Sequence, residues 1–225
     1  MSVQSNLVTL NAAVLFGVAC AACKRLQTAD RTSINCDALV SIVFSAATIE
    51  SFLNELPRFL SMFRDLLQDE PPQVPLFVKQ ANELINKRGR AGSTENKYLL
   101  AYSILSKRDC EKGGPDYQNF KLLFEARNGL MHAKSATFSG EADPDGNLVL
   151  GVSDKLIEKF GASGFLNELD APLPGSLRIA TPKAAHWACN TAAAVVNSIV
   201  NVVPECQHKH NLLKYCDGFK PISTA

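Results

Sequence analysis

An arginine, an asparagine and a histidine lie close together at Arg127-Asn128-Gly129-Leu130-Met131-His132, inside the segment FKLLFEARNGLMHAK. Arginine keeps its charge at any physiological pH and presents a planar fork that matches phosphate oxygens, while histidine gives or takes a proton near neutrality. A fixed cation, an amide and a titratable imidazole at this spacing suit phosphodiester chemistry. His132 is one of only four histidines in the chain, and no other stretch makes so definite a chemical suggestion.

Positioning such groups falls to helices. Residues 6–27 and 36–67 are rich in Ala, Leu, Ile and Phe, with apolar positions recurring at steps of three and four. Pro57 falls inside the second run and is expected to kink or split it near Leu56. The stretch Asp69 to Pro75 reads as a break, followed by a short helix over 76–87. After a Gly-bearing turn at 89–92, Ser93 or Thr94 can cap a helix through about Ser106. Gly113-Gly114-Pro115-Asp116 then introduces the helix that carries the motif. Beyond His132, residues 136–140 and 147–152 are β-compatible runs around Asp143-Pro144-Asp145-Gly146, which predicts a small β-hairpin. A short helix over 153–160 follows, then Thr181-Pro182 as cap and first-turn proline of an apolar helix over 183–203. The expected architecture is an all-α bundle with one hairpin, in a single domain over 1–205 with a polar C-terminal tail over 206–225.

Spacing within the motif constrains what it can do. Asn128 and His132 are four apart, so on a regular helix they share a face and an amide–imidazole hydrogen bond is within reach. Arg127 and His132 are five apart, about 140° around a straight helix. Their convergence requires the long arginine to reach around, the helix to deform near Gly129, or a second subunit to complete the site. A plainer alternative is that Arg127 pairs with Glu50 or another carboxylate while Asn128 and His132 satisfy backbone groups where the helix ends.

The pattern Arg127-Asn128-x3-His132 resembles the signature of HEPN domains, an all-helical family marked by Arg, four to six residues, then His, commonly with Asn after the Arg. The upstream helix fits the resemblance through AATIESFLNEL, where Glu50 and Asn54 lie one turn apart. In layout the likeness spans residues 6–203, though only the six-residue motif is specific to it. It implies a metal-independent endoribonuclease in which the 2′-hydroxyl of RNA attacks the adjacent phosphate and leaves a 2′,3′-cyclic phosphate. By the same resemblance His132 transfers a proton, Arg127 holds the scissile phosphate, and Asn128 orients His132 or holds the nucleotide. Lys134 and Glu50 are placed at substrate. A defence or toxin effector fits this reading, acting as a homodimer whose two motifs line one cleft and restrained by an antitoxin or regulatory protein. The alternative within the family is a non-catalytic module that binds nucleotide, RNA or protein.

Composition limits the remaining options. The 225 residues are 46% hydrophobic, enough for one substantial core. With 23 basic and 22 acidic side chains, the formal net charge of +1 draws nucleic acid weakly, so any RNA site is a local feature. Besides Arg127 with Lys134, the basic clusters Lys87-Arg88-x-Arg90 and Lys107-Arg108 read as solvated faces. Seven cysteines, an odd number, do not look like a disulfide framework and fit a reducing cytosol, so a cytoplasmic protein is expected. The N-terminal apolar run lacks preceding basic residues and is short for a bilayer, so it reads as a core helix and no membrane partner is expected. Cys20-x-x-Cys23 has redox or metal spacing but no βαβ context, and reads as core. Cys206-x-His208-x-His210 with Cys216 supplies zinc-ligand types at a spacing unlike the familiar fingers, and His186-Trp187 could stack on RNA but reads as structural. No metal or cofactor is expected, and no phosphate-cradling glycine loop follows a strand.

Overall fold

The computed structural model describes residues 11–26, 35–62, 71–86, 92–131, 139–142, 148–151, 155–166 and 178–223, the backbone alone over 139–142, 148–151 and 155–157. The described helices are α1 (Asn11–Arg25), α2 (Cys36–Ser61), α3 (Gln73–Ile85), α4 (Thr94–Ser106), α5 (Pro115–Met131), α6 (Lys155–Ala162), α7 (Pro182–Val202) and α8 (Gln207–Cys216). Between α5 and α6, strands β1 (Ser139–Ala142) and β2 (Leu148–Gly151) pair antiparallel, Ser139 opposite Gly151 and Ala142 opposite Leu148. The fold is mostly helical, as the periodicity predicts. Residues 143–147, where the sequence places the turn, lie outside the described residues.

Local chemistry accounts for several boundaries. Asn35 caps α2 by accepting from the Asp37 N–H, Ser93 caps α4 through Asn96, and Thr181 caps α7 through Ala184, with Pro182 in the first turn. The start of α1 is capped from outside: Glu55 of α2 accepts the Asn11 N–H at 2.8 Å and the Ala12 N–H at 3.4 Å, and Ser51 donates to the same carboxylate at 2.8 Å. A carboxylate there satisfies orphan N–H groups and meets the positive end of the helix dipole.

Two prolines lie inside helices. Pro57 does not split α2, which continues to Ser61 with Pro57 buried. The ring sits little more than a turn from the C-terminus, and its burial in the core offsets the one backbone bond that it removes. Pro75 lies inside α3, which begins at Gln73 rather than at 76; in a first turn the missing N–H has no intrahelical partner to lose.

Helix α2 is the centre of the bundle and packs against α1, α7, α3, α5 and α4. It is also the one described helix long and apolar enough to cross a membrane. Its buried residues Ala38, Ser41, Ser45, Ala46 and Thr48 are small, as are Ala12, Ala19 and Ala22 of α1 and Ala184, Ala185, Ala188, Ala192 and Ala193 of α7. Small side chains let these three backbones approach closely, and the larger Ile42, Ile49, Phe52, Leu56 and Leu60 are buried in the core cluster that joins α2 to its neighbours.

The C-terminal segment read as a polar tail is docked instead. His208, Leu212 and Cys216 are buried along one face of α8, and Phe219 beyond it is 2% exposed. Phe219 meets Phe16 at 5.0 Å and Phe52 at 6.5 Å between ring centroids. Asn197 of α7 donates to the Phe219 carbonyl at 2.9 Å, and Asn190 accepts the Ile222 N–H at 2.7 Å while donating to its carbonyl at 3.3 Å. A helical apolar stripe was present in the sequence, but diluted among lysines and histidines. Phe219→Ala is expected to lower unfolding free energy by about 3–5 kcal/mol in a denaturant titration; a change below about 1 kcal/mol would show that this segment does not close the core.

Candidate functional site

Helix α5 presents Tyr117, Phe120, Leu123 and Ala126 to the core. That stripe puts Arg127 on the flank of the helix, toward α2, and Asn128 on the exposed side. Arg127 Nη2 donates to Glu50 Oε2 at 2.8 Å, with the two side chains 25% and 41% exposed. Its guanidinium also lies over the Phe124 ring, 5.4 Å from the centroid, one turn back on the same helix. The arginine is therefore held from two sides, by a carboxylate across the helix interface and by an aromatic face along its own helix.

One terminal nitrogen makes the Glu50 bond, and a guanidinium carries five N–H donors in a fixed fork. The partly exposed remainder can receive an anionic oxygen. Glu50 binds the arginine directly, which suits a role in aiming the cation more than in touching a phosphate that its own charge would repel.

One turn along α2, Lys97 Nζ of α4 donates to Asn54 Oδ1 at 2.7 Å. The upstream pair Glu50 and Asn54 thus each hold a cation, Arg127 from α5 and Lys97 from α4. Lys97 was not singled out in the sequence, because nothing local relates it to a motif on another helix. The phenol of Tyr117 donates to Glu95, joining α5 to α4. Burial first, and then the Glu95 carboxylate, push Tyr117 up to about 12, so it stays protonated and donating through neutral pH.

Helix α5 runs through Gly129 to Met131. Gly129 is helical, so the helix does not deform there to turn Arg127. His132 and Lys134 lie outside the described residues, as do Lys87, Arg88 and Arg90. Of the five residues assigned to catalysis or substrate, the structure joins Arg127 to Glu50, leaves Asn128 exposed nearby, and does not describe the other two.

The secondary candidates are resolved by their partners. Trp187 donates from Nε1 to Asn119 at 3.1 Å and packs against Phe160 and Phe165, each at 5.3 Å between ring centroids. That places it in the α5–α6–α7 junction, as a structural residue. Among the described residues no group of three or more His, Cys, Asp and Glu could hold a metal ion, and His208, buried in α8, does not assemble one with Cys206, His210 and Cys216.

No protein-family model, curated protein or solved structure matches this chain. In a double-mutant cycle of Glu50→Ala and Arg127→Ala, the half-exposed pair is expected to couple by about 1 kcal/mol or less; coupling above about 3 kcal/mol would mark it as a buried structural pair, with the arginine unavailable to a ligand.

Proposed function

We propose that this chain is a metal-independent endoribonuclease of HEPN type. The observation that carries the reading is the arginine of the motif, anchored by Glu50 and Phe124 while part of its fork stays open. Preorganised cations of this kind stabilise charge that develops in a transition state, since no reorganisation is needed when the charge appears. Arg127 holds the scissile phosphate and offsets charge on its non-bridging oxygens. His132 moves the proton as the 2′-oxygen attacks phosphorus and the bond to the 5′-oxygen breaks. The products are a 2′,3′-cyclic phosphate and a 5′-hydroxyl. Asn128, four residues before His132, orients the imidazole or holds the nucleotide.

In this proposal the fold is a HEPN-like bundle in which the hairpin follows the motif helix. Two copies face each other so that both motifs line one cleft, RNA is the substrate, and the site needs no cofactor. The setting is a cytoplasmic defence or toxin effector held in check by a regulatory protein. A non-catalytic module that binds nucleotide, RNA or protein is the second reading, favoured by the Glu50 bond, which neutralises much of the arginine's charge.

Labelled RNA incubated with purified protein in excess EDTA tests the proposal. Wild type is expected to cleave and leave cyclic phosphate ends, with His132→Ala and Arg127→Ala each folded but slower by about 10²–10⁴-fold. Equal background in all three proteins across several RNA classes would replace the nuclease with the binding module.

A further inference from the structure

The two acceptors by which α2 holds cations from its neighbours differ in charge. Glu50 is a carboxylate and accepts from Arg127 Nη2 at 2.8 Å, so it offsets much of the guanidinium's charge. Asn54 is a neutral amide and accepts from Lys97 Nζ at 2.7 Å. An ammonium only donates, so the amide oxygen is the end that faces it. The amide therefore aims Lys97 and leaves its charge in place, with one of the three ammonium donors used in the bond.

Carboxylates close to this pair in the chain are engaged by other groups. Glu95, two residues before Lys97, accepts from the Tyr117 phenol. Glu50 and Glu55, on either side of Asn54, hold Arg127 and the start of α1. The lysine is also set on a firm base. Asn54 and Lys97 are half-buried, and Tyr98, the next residue of α4, is 2% exposed and stacks on Phe120 of α5 at 4.8 Å between ring centroids. Phe120 meets Phe124 at 4.9 Å, and the Arg127 guanidinium lies over Phe124. One aromatic row thus seats both of the helices that carry the two cations.

Helix geometry sets their spacing. Glu50 and Asn54 are four residues apart and share a face of α2, about 6 Å from each other along its axis. The nitrogens bonded to them are separated by a distance of the order of one helical turn, the scale between successive phosphates on one nucleic-acid strand.

We propose that Lys97 binds the phosphate next to the scissile one, so that Arg127 and Lys97 grip two successive phosphates of a single RNA strand. The inference rests on the RNA reading of the Arg127 site and adds to it the cation whose charge no carboxylate offsets. With a net charge of only +1 the whole molecule attracts RNA weakly, and this local pair supplies the pull. The grip is on the backbone, so it positions the strand without reading its bases.

The salt dependence of RNA binding tests the assignment. Fluorescence anisotropy of a labelled oligouridylate of about eight nucleotides is followed on the full-length His132→Ala protein, which keeps the strand intact. Between about 50 and 200 mM salt, Lys97→Met in that background is expected to lower the slope of log affinity against log salt by about 0.7, one phosphate contact on a single strand. Lys97→Arg is expected to keep the slope, as is Lys220→Met, which removes an exposed lysine paired with Asp217 at 3.0 Å. Asn54→Asp separates binding from structure. It retains the bond to Lys97 and places a carboxylate against it, so the fold holds while the slope falls as in Lys97→Met, and it carries the test if Lys97→Met does not fold by far-UV circular dichroism. A slope unchanged in Lys97→Met and Asn54→Asp, or no binding of the strand at all, overturns the proposal. Cleavage by the wild-type chain in EDTA reports on the nuclease separately: cleavage with a slope indifferent to Lys97 rejects this inference alone, and a Lys97-dependent slope without cleavage rejects the nuclease alone.

Discussion

A helix that is apolar around most of its circumference must be covered on most sides, and α2 imposes that demand on the whole chain. The helices α1, α7, α3, α5 and α4 all pack on it. Alanines and serines line the close approach to α1 and α7, and Ile49, Phe52 and Leu56 are buried in the core. Even the C-terminal segment answers the same demand, because Phe219 packs against both Phe16 of α1 and Phe52 of α2.

Where the cover is incomplete, α2 carries polar groups, and these are the groups that hold the candidate site. Glu50 takes Arg127 from α5 and Asn54 takes Lys97 from α4. Bonds between half-exposed groups contribute little to stability, but they fix direction, and direction is what a phosphate-binding cation requires. Glu55 serves the opposite end of the same logic by capping α1. One long helix thus provides both the apolar core and the anchors that aim side chains from its neighbours.

A buried cluster around Cys189 follows from close packing as well. Cys23 of α1 and Cys189 of α7 share it, and only the short approach of α1 to α7 over the small residues of α2 brings them into one cluster. A larger side chain at Ser41 or Ser45 would crowd that approach and remove one of the two hydroxyls beside Cys189.

Local chemistry was legible in the sequence wherever it is short-range. Ser93 or Thr94, Thr181 and Pro182 mark helix starts because a cap bonds within its own first turn, and the periodicity of 36–67 marks a core helix, described over Cys36–Ser61, because apolar spacing is a property of the helix alone. The pairing of Arg127 with Glu50 was open as one alternative, since residue types suggest partners without assigning them. Whether Pro57 breaks its helix, and whether 207–219 packs or trails, depended on what surrounds those residues, so neither followed from the residues themselves. Lys97 beside Asn54 and Cys189 beside Ser41 were invisible for the same reason: each pair joins helices far apart in the chain, and only tertiary packing sets the distance between them. The sequence determined most of the helical segments, α8 excepted, and which residue types could do chemistry; the tertiary structure decided which of those residues meet, because burial of α2 fixes the neighbours that each face must take.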